Sequence, residues 1–330
     1  MLTSARKSSK SRGLSVERLE GREMMAADVS AYVLNGALFV GESAGAPGGQ
    51  NGVQVVQVAP GTIRVKGLQA DDGGTSRVNG HAYQDFAGVG SLFVNLGGGN
   101  DRVVVGGEST TTALDDVFVN TDGSQVFNAY GFDYDKVIVQ HLTTTGTVDI
   151  RTGPGNDSVT VGSSAIGNDD LDSLTIHTGG GSDTVTLGNV AVAGNLAVFT
   201  SDATGTAANA DRVYLQTVTA HNGLLVQAGA GKDSLTATDV TSASDILFDL
   251  GAGNDTARLN SVRAGGDFNV TMDAGNDTLA VTYLRANRLT LDGGTGTDSL
   301  TTGVDGTVGL LSEPNWELIN GHVPSHFNHF

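Results

Sequence analysis

Nine aspartates recur at one point of a repeated pattern, and their type and spacing suit them to hold a cation. They are Asp101, Asp135, Asp157, Asp183, Asp211, Asp233, Asp255, Asp277 and Asp298, separated by 34, 22, 26, 28, 22, 22, 22 and 21 residues. Seven of them close a Gly-rich turn: Asp101, Asp157, Asp183, Asp233, Asp255, Asp277 and Asp298, as in Gly97-Gly98-Gly99-Asn100-Asp101 and Gly251-Ala252-Gly253-Asn254-Asp255. Gly frees the backbone, so turn carbonyls can point inward. Asp adds a hard anionic oxygen, and such oxygens together are what Ca²⁺ takes, six to eight at a time. These seven are therefore the expected calcium ligands. Asp135, in Phe132-Asp133-Tyr134-Asp135, and Asp211, in Asn209-Ala210-Asp211, lack the glycines and are set apart. The competing expectation is structural: a Gly-Asp turn is ordinary corner chemistry, with the Asp oxygen accepting from nearby backbone N–H groups. Stacked carboxylates about 5 Å apart repel by roughly 1 kcal/mol in water and by more in a lower dielectric. A cation between turns relieves that repulsion most fully.

The segments around each turn tell what must position it. Before the turn, apolar residues alternate, as in Leu92, Val94 and Leu96, or Leu174, Ile176 and Thr178, or Phe268, Val270 and Met272. After it come pairs such as Val103 and Val105, Val159 and Val161, Val185 and Leu187, and Leu279 and Val281. A further apolar residue, three places on, follows in Val190, Val218, Val240, Val262 and Leu284. Period-2 alternation marks half-buried strands, and no single unit can bury its apolar face alone. Units of this length must stack as a solenoid. The predicted fold is all-β: a parallel β-helix of about 22 residues per coil with three sides, right-handed like other parallel crossovers. Its regular part is placed at 91–301. Residues 28–90 are read as an irregular β cap with first coils, with strand-like runs over Tyr32 to Val40, Val53 to Val58 and Ile63 to Val65. Residues 302–330 are read as a C-terminal cap and tail, with Trp316 and Leu318 over the last coil, and 1–27 as an unstructured export-like segment.

The turns resemble the hemolysin-type, repeats-in-toxin unit Gly-Gly-x-Gly-x-Asp-x-apolar-x, most closely at Gly97 to Val103 and Gly251 to Ala257. That resemblance implies Ca²⁺ held between consecutive turns by carbonyls and the Asp. The family repeats every nine residues and carries turns on two sides of each coil. Here one turn appears per coil, so any sites form a single file.

Composition narrows the function. Eighteen Lys and Arg against 36 Asp and Glu leave a net charge of −18, which excludes a nucleic-acid or anionic-lipid partner requiring a cationic footprint. Cysteine is absent, so there is no thiolate chemistry, and no apolar run is long enough to span a membrane as a helix. Leu19-Glu20-Gly21-Arg22 followed by Met24-Met25-Ala26-Ala27 resembles the N-terminal motif of many planctomycete surface and secreted proteins, with Met-Met where Leu-Leu is usual. It implies export, hence an extracellular or cell-surface location and partners in the matrix or on the surface. The expected function is a non-enzymatic structural or adhesin-like solenoid that binds calcium. The rival is a polysaccharide-binding or polysaccharide-cleaving β-helix, which needs clustered cations or paired carboxylates in a cleft. Arg263, Arg285 and Arg288 are its nearest candidates. The few aromatic residues speak against a sugar cleft, and His141, His177 and His221 are expected on the surface. His322, His326 and His329 are read as a tail.

Overall fold

The computed structural model describes residues 28–43, 49–69, 74–122, 134–201, 209–303, 308–312 and 318–319. The readings made for 1–27, for Trp316 and for the terminal histidines lie outside these residues.

The chain is all-β, and its strands stack as a parallel β-helix. One coil illustrates the rest. Ile246–Asp249 forms the first face, Ala252–Gly253 crosses the Gly-rich turn, and Thr256–Ala264 supplies the other two faces. Each strand pairs in parallel with its equivalent one coil away: Ile246 with Phe268, Ala252 with Ala274, and Leu235 with Ala257. Alternation puts Ile246, Phe248, Ala257 and Leu259 inside, each no more than 1 % exposed. Phe248 and Phe268 meet edge to face across adjacent coils, with ring centres 5.3 Å apart.

The apolar residue three places on has a backbone cause. Within each long strand one residue is left-handed, at φ between 50° and 56°: Ser163, Asn189, Thr217, Asp239, Ser261 and Tyr283. This residue bends the strand and reverses the in-out alternation, so Leu259 and Val262, not Leu259 and Ser261, both face the interior. None of the six is Gly, and each carries about 1 kcal/mol or more of strain that the packing on either side offsets.

The N-terminal part departs from the single runs read in the sequence. Tyr32 to Val40 is a hairpin, Val29–Leu34 against Ala37–Glu42. It turns at Asn35-Gly36 with φ values of 51° and 82°, the pattern of a tight two-residue loop. Gly52–Ala59, Thr62–Gly67 and Tyr83–Ala87 form an antiparallel meander. Ala37–Glu42 and Gly52–Ala59 then pair in parallel with the first regular coil. The antiparallel strands cover the end of the stack, where open edges would otherwise invite another chain.

Candidate functional site

The turn aspartates form one continuous column inside the corner. All nine are no more than 2 % exposed. In each case the backbone N–H of one Asp donates to Oδ1 of the Asp one coil further along. Asp101 donates to Asp135 at 2.7 Å, Asp135 to Asp157 at 2.8 Å, and Asp157 to Asp183 at 2.8 Å. Asp183 donates to Asp211 at 2.7 Å, Asp211 to Asp233 at 2.8 Å, and Asp233 to Asp255 at 2.7 Å. Asp255 and Asp277 donate to Asp277 and Asp298 at 2.7 and 2.8 Å. Asn51 heads the column and donates to Asp101 Oδ1 at 2.8 Å.

Two expectations change here. Asp135 and Asp211, set apart in the sequence for want of glycines, stand in the column on the same terms as the other seven. And the glycines do not turn their carbonyls toward the Asp. Gly253, which has no left-handed φ, is Gly because a Cβ would overlap the carbonyl oxygen of Gly231 in the preceding coil. Gly251 has both constraints, a φ of 80° and the Gly229 carbonyl where its Cβ would lie. The carbonyls run along the rod. Gly229 O accepts from Ala252 N–H, Ala230 O from Asn209 N–H, and Asp255 O from Thr278 N–H.

A second ladder flanks the first and escaped the sequence reading. At five of the eight steps between turns, the residue just before the Asp accepts from the N–H of its equivalent in the next coil, opposite in direction to the Asp ladder. Asn100 Oδ1 takes Tyr134 N–H at 3.0 Å, Asn156 takes Ser182 at 2.7 Å, and Ser182 Oγ takes Ala210 at 3.0 Å. Asn254 takes Asn276 at 2.8 Å, and Asn276 takes Thr297 at 2.9 Å. Its signal was the Asn-Asp pair at 100–101, 156–157, 254–255 and 276–277.

Burial dominates the electrostatics of the column. It pushes Asp101 up to about 9, Asp183 and Asp255 to about 8, Asp211 to about 7, and Asp233 and Asp277 to about 6. Neighbouring carboxylates add to the rise, as Asp233 and Asp277 do for Asp255, while the accepted N–H bonds oppose it. The second oxygen, Oδ2, of Asp233, Asp255 and Asp277 is buried without a hydrogen-bond partner.

The fit to calcium can be judged from these donors. Ca²⁺ requires six to eight oxygens converging on one point. Each coil offers one carboxylate whose Oδ1 already serves the ladder, beside carbonyls directed at the next coil. Among the described residues no three Asp, Glu or His side chains converge in a way that would hold a metal. The side chains alone leave one unengaged carboxylate oxygen per coil, Oδ2 in Asp233, Asp255 and Asp277, well short of six to eight.

Basic and acidic side chains also gather in two places outside the column. Arg263 and Arg285 are neighbours in register on the outer surface, while Arg288 pairs with Asp267 at 3.4 Å. A groove of about 500 Å³ runs beside the turns past His177, Phe199, Gln227, Asp249 and Asp273. Burial, then the charges of Asp249 and Asp292, raise the Asp273 carboxyl. His177 is not simply on the surface: its ring stacks on Phe199 at 4.6 Å, and burial lowers its pKa. The described aromatic rings are also better organised than their number suggests. Tyr32, Phe39, Phe93 and Phe118 stack face to face outside the first face, at 5.3, 5.1 and 4.9 Å. Stacked in this way, the row braces adjacent strands. Compared with known proteins, the chain matches no family model, no curated protein and no solved structure.

Proposed function

We propose that this chain is a non-catalytic, exported structural or adhesin-like rod of the cell surface or extracellular matrix. The observation that carries the reading is the unbroken column of Asp hydrogen bonds along the corner, flanked by a second, interrupted ladder. Polar side chains are spent there on joining coil to coil, which serves a stiff spacer. At about 4.8 Å per coil the described stack is about 45 Å long. Export is supported by the Leu19 to Ala27 resemblance and by the net charge of −18, which keeps such a rod solvated and unaggregated.

The test has two arms. Fractionation of cells expressing the full chain is expected to place it outside the cytoplasm. Purified protein incubated with polyuronates and neutral glycans is expected to release no new reducing ends or unsaturated products. Cytoplasmic retention removes the surface role, and turnover removes the non-catalytic one. The groove beside Asp249 and Asp273 supports a second reading, glycan binding. Asp249→Asn with Asp273→Asn separates it from the first, because only glycan retention would be lost.

A further inference from the structure

We infer that the Gly-x-Gly-x-Asp turns of this chain form a metal-independent hydrogen-bond spine, in which the Asp side-chain Oδ1 does the joining that a calcium ion does in the repeats these turns resemble. The inference rests on the structural-rod reading and specifies what holds the rod together.

Three observations carry it. The first is allocation of donors. Every Asp Oδ1 in the column accepts a backbone N–H from the adjacent coil at 2.7–2.8 Å. Turn carbonyls such as those of Gly229, Ala230 and Asp255 are likewise taken by N–H groups of adjacent coils. A cation would be left with the remaining lone pairs and with Oδ2, which in Asp233, Asp255 and Asp277 has no hydrogen-bond partner, one such oxygen per coil against the six to eight that Ca²⁺ takes.

The second is where the ladder persists. A calcium turn depends on its glycines, because they let carbonyls converge. Asp135 and Asp211 lie in turns without them, yet both accept the same N–H bond at the same length as Asp255. The Asp is therefore retained by a requirement that the glycines do not share. That requirement is the buried N–H one coil back, which would otherwise have no partner.

The third is the opposed ladder. Asn100, Asn156, Asn254 and Asn276 are neutral, and Asn254 and Asn276 bond along the rod in the direction opposite to the aspartates. Where both ladders are present, as at the Asn254 and Asn276 turns, their opposite senses fix a turn against both neighbours. Asn51, also neutral, starts the Asp column.

The test uses the full chain. Thermal melts in millimolar calcium chloride and in excess EGTA are compared for the wild type, Asp255→Asn and Asp255→Ala, with calorimetric titration of calcium alone. The expected result is coincident wild-type midpoints, within about 2 °C. Asp255→Asn keeps the Oδ1 acceptor and is expected to melt near the wild type. Asp255→Ala loses the acceptor and is expected to melt several degrees lower, on the order of 4–8 °C. A calcium-dependent rise that Asp255→Asn reduces overturns the inference. A rise that Asp255→Asn leaves undiminished comes from outside that turn, and the spine stands as metal-independent there. Should Asp255→Asn not fold, Asp233→Asn, in a Gly-intact turn, replaces it, and loss of β structure by the wild type in EGTA would itself overturn the inference. None of these outcomes bears on location or turnover, so the rod reading fails or stands separately.

Discussion

Two turns in the same column, Gly251 to Asp255 and Asn209 to Asp211, differ in sequence and agree in one bond. In the first, Gly253 sits where the Gly231 carbonyl leaves no room for a side chain. In the second, Asn209 holds the equivalent place, bridged to Gly231, and carries a side chain there. Both nonetheless end in a buried Asp whose Oδ1 receives the N–H of the previous coil's Asp at 2.7 Å. The motif is thus two independent devices. Gly answers to how closely the preceding coil approaches, and Asp answers to a buried N–H that needs an acceptor. A sequence motif that looks like one site is the overlap of two packing rules.

Substitution should pull these devices apart. The largest effect is expected for Gly253→Val, since a rigid backbone carbonyl cannot retreat as a side chain would. Overpacking of this kind costs about 3 kcal/mol, whereas Asn209→Val, where a side chain is already accommodated, should cost less than about 1 kcal/mol. Chemical denaturation of the two variants measures the difference, and equal losses would remove the steric account of the glycines. Next come Asp255→Ala and Asp211→Ala. Each leaves a buried N–H without its acceptor, a loss of about 2 kcal/mol. Their losses should match despite the different turns. A much smaller loss at Asp211 would mean that the glycines do govern the carboxylate.

The pH dependence follows from the raised carboxyls. In the unfolded chain these aspartates titrate near 3.9, while in the fold Asp255 is raised to about 8 and Asp211 to about 7. The folded state therefore binds more protons between these limits. The column's stabilising contribution is fully present below about pH 4 and is lost as pH rises through the folded values. Melting midpoints are expected to fall between about pH 5 and about pH 9, with Asp255→Asn flattening the slope. A midpoint that instead rises over this range would show the column ionised and otherwise compensated.

Much of the architecture was legible in the sequence because burial leaves a periodic trace. Leu92, Val94 and Leu96, and Val159 with Val161, face inward as their alternation required. The position of Val262 announced a corner, although its cause, a left-handed Ser261, is invisible in residue type. The hairpin at Asn35-Gly36 was available as a turn signal, but the apolar run on both sides concealed it. The site was less legible. Spacing showed that the aspartates align, yet could not show which backbone groups their oxygens meet. Carboxylate beside glycine reads the same whether its partner is an ion or an N–H. Only the register, with Asp233 N–H directed at Asp255 Oδ1, assigns the partner.

The smallest expected effect concerns the opposed ladder. Asn254 accepts from Asn276 N–H at 2.8 Å, but this bond lies on the exposed side of the turn. Water can replace the lost acceptor there, so Asn254→Ala should cost only about 0.5 kcal/mol. Backbone hydrogen exchange gives a sharper readout than global stability. The Asn276 amide should exchange faster in Asn254→Ala, while the Asp255 amide, whose acceptor is Asp277, should not change. In Asp277→Ala the response should reverse, with the Asp255 amide released and the Asn276 amide still held by Asn254. If both amides respond to either substitution, the two ladders act as one unit and the separation drawn between the paired turns does not extend across the corner.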